Sequence, residues 1–384
     1  MSEASKTKPH AEPIYLASVY ECESPAAADA MLGGQMPGYV YSRDGHPNAA
    51  SLAEQCRTLH QADRAVVTNS GMSAMALALI TQCTAGDHVL LSNQLYGRSY
   101  ALFVGEAARL GIESSIVDTT DPDAVRAAWQ PNTRLLVVET ITNPLLRVND
   151  LAALASLAHE RGGLLLVDNT LAGPLNCQPL RWGADLVVES LTKIMNGHSD
   201  VLLGLLCGHK RLWDRVPATL STWGWTAPPF ESWLAARGLQ TLTLRWQQAA
   251  DNALAVAAWL TKQDGIDAVH FPGLATHVDN KLAARQFAAA KNAHGQVRTG
   301  TLVTFTLTGG WDAATNFIAA VRETIPFCPS LGELHTTLSH PASTSHRALT
   351  PAQRSELGIE DGTIRLSVGI ESVEQIQKNL FVGL

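Results

Sequence analysis

The sequence predicts an α/β protein built on a mostly parallel sheet, and three observations carry that prediction. Short apolar runs alternate with helical patterns six or seven times between Arg64 and Gly208. Several runs are apolar throughout, as strands covered on both faces must be. Polar residues collect where the runs end, most densely between Asp168 and Lys193. In open α/β sheets the carboxyl edge of the strands is where ligands bind.

The elements follow in order. Residues 1 to about 50 are rich in Pro, Gly and Ala and show little periodicity, which predicts an extended arm. AVV (65–67) reads as a strand, and Ser70 then opens a helical run, GMSAMALALITQC. HVLLS (88–92) is a strand, and residues 100–111 form a helix that stops at glycine. SIVD (115–118) is a short strand. Asp121 caps the next helix, residues 121–129, with Pro122 in its first turn. RLLVVE (134–139) is a strand, and residues 149–162 carry apolar side chains at helical spacing. The strands 164–167 and 186–188 deliver Asp168 and the group Ser190, Thr192 and Lys193. VLLGLLCG (201–208) is a further strand, followed by one long helical stretch from Phe230 to Lys262. The remainder reads as a smaller α/β unit: DAVHF, a helix from Asn280, TLVTFTL, a helix from Asp312, TIRLSVG and a last helix. The expected division is an arm (1–53), a large domain (54–245) and a C-terminal domain (246–384).

Composition narrows the function. The chain has 384 residues, more than one ordinary core holds. It is 46% hydrophobic and only 16% charged, which predicts a large core and a large subunit interface. The formal charge of −7 and the lack of a basic run argue against a nucleic-acid partner. No apolar run is long enough for a membrane span. The polar start, MSEASKTKPHAEP, lacks the apolar core of a secretory signal, so a cytoplasmic location is expected. Cys22, Cys56, Cys83, Cys177, Cys207 and Cys328 are scattered without metal-type spacing, as in a protein with reduced thiols.

An acid, two hydroxyls and a lysine at one sheet edge are the groups needed to hold pyridoxal 5′-phosphate (PLP). Lys193 supplies the Schiff-base amine, Asp168 keeps the pyridine nitrogen protonated, and Ser190 and Thr192 donate to the phosphate. A lysine at the end of a buried strand is desolvated, which lowers its pKa and favours that chemistry. Ser70-Gly71-Met72 opens a helix whose free N–H groups suit the same phosphate.

Further motifs make the likeness specific. They include Tyr41-Ser42-Arg43, Ser70-Gly71-Met72, Tyr96-Gly97, Thr142-Asn143-Pro144, Val167-Asp168-Asn169-Thr170, Ser190-Leu191-Thr192-Lys193 and Gly197-His198-Ser199-Asp200. Ser330-Leu331-Gly332, His340-Pro341-Ala342-Ser343 and Arg365-Leu366-Ser367-Val368-Gly369 follow. In this order they resemble the Cys/Met-metabolism family of PLP enzymes, which includes cystathionine γ-synthase, cystathionine γ- and β-lyases, methionine γ-lyase and O-acetylhomoserine sulfhydrylase. The resemblance implies the type I PLP-dependent transferase fold, similar to aspartate aminotransferase. It also implies a homotetramer of two catalytic dimers.

The resemblance implies roles as well. Lys193 would carry the cofactor and shuttle protons, and Asp168 would pair with the pyridinium. Gly71, Met72, Ser190 and Thr192 would hold the phosphate. Tyr96 would stack on the ring and take part in proton transfer. Tyr41 and Arg43 would reach that phosphate from a neighbouring subunit. Arg365 would clamp the substrate carboxylate, helped by Asn143 and Ser330. His198 reads as structural, and Trp223, Trp225 and Trp233 as interface or pocket wall.

The departures fall in the distal pocket. The YGGxxR pattern is replaced by Tyr96-Gly97-Arg98-Ser99-Tyr100-Ala101, so Ala101 stands where an arginine is usual and Arg98 is new. Ala101 is similar to methionine γ-lyase, whose usual cysteine is here Arg98. Pro329 stands where cystathionine γ-enzymes carry glutamate. His46 and Ile194 also differ from the usual asparagine and tyrosine. The expected activity is PLP-dependent β- or γ-elimination, or γ-replacement, on a sulfur-related amino acid, in the manner of cystathionine γ-synthase or γ-lyase. Ala101 motivates a methionine γ-lyase-like alternative. Arg98, a candidate substrate-binding residue, and Pro329 motivate a third, an unusual γ-substituted amino acid. An aminotransferase and a non-catalytic PLP-binding protein are the rivals outside this chemistry.

Overall fold

The structure, a computed structural model, describes Thr7 and residues 9–384. The first residues of the expected arm lie outside that set. The large sheet contains β1 (Arg64–Thr68), β2 (His88–Ser92), β3 (Glu113–Val117), β4 (Thr133–Glu139), β5 (Leu164–Asp168), β6 (Leu186–Ser190) and β7 (Gly204–Gly208). Its order is β1-β7-β6-β5-β4-β2-β3. Strands β2 to β6 pair in parallel, while β7 runs antiparallel to both β6 and β1. The parallel set therefore ends at one edge, where β4 delivers Glu139, β5 delivers Asp168 and β6 delivers Ser190.

The reversal of β7 follows from what lies before it. Residues 191–203 form the turn that presents Lys193 and contain no crossover helix, which a parallel return would need. The same turn shortens the expected strand 201–208 to Gly204–Gly208. β5 and β6 are buried along their length except at Asp168 and Ser190. Strands buried in this way need both faces covered.

Other expectations change in detail. The stretch 100–111 becomes a helix Gly97–Ala101, a wide π turn Leu102–Glu106 and a short end, Ala107–Arg109. The long stretch from Phe230 is two helices, Pro229–Leu239 and Leu242–Leu260. The buried Arg245 guanidinium sits at that break and donates to the carbonyls of Gly238 (3.0 Å), Ile194 (3.2 Å) and Met195 (3.1 Å). It thereby fastens the helix pair to the backbone that follows Lys193. The arm region is not wholly extended: it contains a helix Pro25–Leu32, and the helix Pro47–His60 begins within it.

The second sheet contains β8 (Ile266–His270), β9 (Leu302–Leu307), β10 (Thr337–Ser339) and β11 (Thr363–Ser367), all antiparallel, in the order β10-β11-β9-β8. Strand β10 has no counterpart in the sequence reading. Its three residues are too few to show a period. Beneath this sheet Phe305 and Phe317 meet edge to face at 5.6 Å, a geometry worth about 1 kcal/mol beyond burial. Helix Leu242–Leu260 serves both cores: Leu242, Trp246 and Ala250 pack under the large sheet, Ala253, Val256 and Leu260 under the small one. Thr304 on β9 donates to the Pro144 carbonyl at 2.6 Å and ties the small sheet to the loop after β4.

Candidate active site

A cleft of about 260 Å³ opens between the two sheets. Its floor is the carboxyl edge of the parallel strands. Asp168, Thr170, Ser190, Thr192 and Lys193 line it, together with Ser70, Gly71 and Met72 from the start of helix Gly71–Gln82. Tyr96, Asn143, Ser330 and Arg365 complete the wall. The single chain thus brings together most of the residues singled out from the sequence.

The helix start is a cradle. Ser70 caps it by accepting from the Ser73 N–H at 3.1 Å. Gly71 leaves open the space above Ser190, because a Cβ there would lie 3.0 Å from the Ser190 Cβ and 3.3 Å from its Oγ. Backbone N–H groups at this helix N-terminus lie beside Ser190 and Thr192 along the cleft, a setting of the kind a phosphate occupies. The Thr192 hydroxyl donates to the Leu203 carbonyl at 3.3 Å and accepts from the Leu203 N–H at 3.1 Å. The Thr170 hydroxyl accepts from the Ser190 N–H at 2.9 Å and links β5 to β6 beside the cradle.

Asp168 closes β5. Its Oδ1 accepts from the Thr170 N–H at 3.0 Å. Burial pushes its carboxyl up to about 6, opposed by the Thr170 hydrogen bonds and reinforced by Glu189. Such a group gains most from a cation brought next to it. A pyridinium nitrogen is that kind of partner, so the cradle and the acid fit PLP.

Lys193 donates from Nζ to the Ser330 Oγ at 2.8 Å. Burial lowers its pKa, Glu333 opposes that and Arg365 adds to it. A larger fraction of neutral amine is what condensation with an aldehyde requires. Ser330 reaches the lysine because Gly332 permits a close approach. Gly332 has φ 85°, and a Cβ on it would lie 2.5 Å from the Ile194 N. Its N–H donates to Ser367 Oγ at 2.8 Å, which registers the Ser330 loop on β11.

Arg365, two residues before Ser367 on β11, is 5% exposed. It donates from Nη1 to Asn143 Oδ1 at 2.9 Å and from Nη2 to the Ser330 carbonyl at 2.7 Å. Burial pulls its pKa down to about 10, and Glu333 opposes the shift. Among the described residues it has no carboxylate salt-bridge partner. Such a guanidinium, held by neutral acceptors and lining a cleft, is prepared for an incoming carboxylate.

The remaining candidates lie elsewhere. Tyr41 and Arg43 do not line this cleft. Tyr41 bridges to Val19, and the Arg43 guanidinium lies 4.9 Å from the Tyr41 ring. Arg98 and Ala101 are exposed and also outside the lining, while Ser99 faces in and Pro329 is part of the wall. Trp223 and Trp225 pack together at 5.0 Å, and Trp233 donates to the Glu12 carbonyl at 2.7 Å. None of the three tryptophans is part of the wall. His198 meets the Asn196 carbonyl at 2.6 Å, in keeping with an ordered turn.

Sequence reasoning missed Glu139, Thr170, Leu202 and Ser345, all of which line the cleft. Glu139 had a signal, since it ends an apolar strand just as Asp168 does. Ser345 had none, because it lies in a loop far along the chain that folds back over the helix at Gly97.

No described helix is long and apolar enough to cross a membrane. The described cysteines are free thiols.

Comparisons with known proteins agree with this geometry. O-succinylhomoserine sulfhydrylase of Pseudomonas aeruginosa is 39% identical over 98% of this chain and 91% of its own. L-methionine gamma-lyase of Porphyromonas gingivalis is 35% identical over 97% and 92%. The crystal structure of cystathionine gamma synthase from Xanthomonas oryzae pv. oryzae in complex with cystathionine matches with a TM-score of 0.89 at 35% identity, covering 97% of this chain and 92% of that one. An O-acetylhomoserine (thiol)-lyase structure from Campylobacter jejuni, which carries N′-pyridoxyl-lysine-5′-monophosphate, matches at 0.91 and 27% identity, covering 97% and 94%. The family model described as Cys/Met metabolism PLP-dependent enzyme matches residues 1–384. With its type I fold, its lysine and its acid at the strand ends, this chain belongs to the Cys/Met metabolism family of PLP-dependent enzymes.

Proposed function

We propose that this chain catalyses elimination or replacement at the γ carbon of a sulfur-related amino acid, in the manner of cystathionine γ-synthase or γ-lyase. The observation that carries the reading is the chain of contacts from Lys193 through Ser330 to Arg365 and Asn143. It supports the reading of Lys193 as the proton-transferring amine and Arg365 as the carboxylate clamp, with the substrate α carbon held near Lys193.

The residues divide the work. Gly71, Met72, Ser190 and Thr192 would hold the phosphate of PLP, and Asp168 would hold a proton at the ring nitrogen. When bound, PLP would supply an aldehyde for the substrate amine and a protonated ring that draws electrons from the bonds at the α carbon. Arg365, with Asn143 and Ser330 behind it, holds the α-carboxylate. Lys193, once free, takes the α proton; γ-chemistry needs a second proton removed at the β carbon before the γ-substituent leaves. Tyr96, which lines the cleft, is the candidate for deprotonation or for protonating the leaving group.

Tyr41 and Arg43 lie outside their own cleft. The reading therefore includes at least a homodimer, within a tetramer of two such dimers, in which these two residues serve a neighbouring site. Exposed Tyr15, Leu16, Val19 and Tyr41 along the arm supply apolar surface for that contact. A fully active monomer in sedimentation would refute this part.

A second reading is favoured by one observation. Among the described residues, the acidic and basic side chains of the cleft are Glu139, Asp168, Lys193 and Arg365, while Met72, Leu202, Leu331 and Pro329 supply apolar wall. The chain itself offers no charge to a second amino-acid head group, which suits a methionine γ-lyase-like reaction. Assaying cystathionine, methionine, homocysteine, cysteine and O-acetyl- and O-succinylhomoserine for thiol and 2-oxo acid release decides between the two. Turnover of cystathionine or an acylhomoserine supports the first reading, and methanethiol from methionine supports the second. Conversion of an added 2-oxo acid into an amino acid in stoichiometric yield would overturn both in favour of transamination.

A further inference from the structure

Glu139 ends β4 directly opposite Asp168 on β5 and is 3% exposed. Its Oε1 accepts from the backbone N–H of Tyr96 at 2.6 Å. Its Oε2 is buried with no hydrogen-bond partner, and Glu139 makes no ion pair among the described residues. A buried acid beside another acid, with a single neutral donor, is costly to keep. A glutamine or an apolar residue would fold there more easily, so the position calls for an explanation in the site.

The explanation lies in what the donor belongs to. Tyr96 is 48% exposed at the cleft rim and starts the short helix Gly97–Ala101, which has no side-chain cap at that end. About half of the tyrosine is exposed, and the Glu139 bond holds its backbone in place. Three residues further on, the Thr142 hydroxyl donates to Gln94 Oε1 at 2.8 Å, a second tie to the same loop. The next residue, Asn143, accepts from Arg365. Segment 139–143 therefore touches the tyrosine loop at one end and the carboxylate clamp at the other.

We propose that Glu139 is a positioning residue that fixes Tyr96 over the bound cofactor and sets its distance from the Arg365 clamp. This rests on the reading of Tyr96 as the residue that covers the cofactor ring. Burial first, and repulsion from Asp168 second, hold the Glu139 carboxyl well above the ordinary carboxylate range. Glutamine, equal in size, preserves the acceptor; alanine removes it.

The test compares Tyr96→Ala, Glu139→Ala, Glu139→Gln and the double alanine variant. It reads the dissociation constant for PLP added to the cofactor-free protein, and kcat and KM separately on the best substrate. Displacing Tyr96 by part of an ångström is expected to lower kcat about tenfold in Glu139→Ala and weaken PLP binding about threefold, with KM within about twofold because Arg365 is untouched. Glu139→Gln recovers most of both losses, and its preserved volume separates a lost contact from a failure to fold. The double variant is no worse than Tyr96→Ala, since the tie acts only through Tyr96. If Tyr96→Ala is harmless, the reading of Tyr96 fails. If Tyr96→Ala is damaging but Glu139→Ala is harmless, or their effects multiply, the proposal for Glu139 is overturned. A glutamine variant as weak as alanine also overturns it, because the acid and not the acceptor would then matter.

Discussion

The inner and outer walls of the cleft are built on different principles. The inner wall is the edge of the parallel sheet: neighbouring strands deliver Glu139, Asp168 and Ser190, and β-register sets their spacing. The outer wall depends on loops and on the second sheet, and part of the expected site, Tyr41, Arg43 and Arg98, is not there in a single chain. A wall fixed by strand register tolerates little change and suits the shared cofactor chemistry. A wall assembled from loops can be altered without disturbing the sheet, so it can vary while the cofactor edge stays fixed.

The comparison predicts that the largest effects come from the junction of the two walls. Lys193→Ala should abolish turnover, since no other amine lines the cleft among the described residues. Measurable turnover in the purified variant would remove Lys193 from its role. Arg365→Ala should come next, lowering kcat/KM by about 2–5 kcal/mol equivalents, the usual cost of losing one partner of a buried charge pair. The loss should appear mainly in KM. A KM that hardly moves would mean that another group holds the carboxylate.

A smaller effect probes the inner wall without substrate. The Asp168 carboxyl is raised by burial from 3.8 to about 6. The folded, cofactor-free protein therefore keeps a proton that the unfolded chain loses above about 4. Where the folded state holds more protons, stability falls as pH rises. The Asp168 contribution is thus most favourable at low pH, declines between 3.8 and about 6, and levels off above that. Asp168→Asn removes this dependence, and PLP opposes it by placing a cation beside the carboxylate. Denaturant midpoints of both cofactor-free proteins across this range check the sign. A difference between wild type and Asp168→Asn that is constant with pH would contradict it.

This division also explains what the sequence made legible. Asp168, Ser190, Thr192 and Lys193 were visible because strand ends are marked by a switch from apolar to polar residues, and local spacing survives folding. Gly71 was visible as the opening of a capped helix. Arg365 and Ser330 became visible through motifs, since nothing local shows that β11 packs beside Lys193. Ser345 and the reversal of β7 were hidden, because each depends on where distant segments meet. The break at Gln240–Thr241 was hidden for the same reason: Arg245, reaching back to Ile194 and Met195, sets it through tertiary contact.

The smallest expected effect belongs to Arg98, on which the sequence placed weight for substrate choice. In the single chain it is exposed, on the short helix Gly97–Ala101, and it does not line the cleft. A charge surrounded by water contributes little to binding a ligand that it does not touch. Arg98→Gly should therefore change the ratio of kcat/KM between two panel substrates by no more than about twofold to threefold, in line with a weak exposed charge. Ser99 and Pro329, which do face the cleft, should move the same ratio further. If Arg98→Gly alters preference strongly, the outer wall is completed by Arg98 of an adjoining subunit or by movement of the helix at Gly97. Mixing Arg98→Gly chains with inactive Lys193→Ala chains separates these. A hybrid whose intact Lys193 sites regain wild-type preference places Arg98 in the neighbour's cleft, whereas an unchanged shift assigns the effect to its own chain.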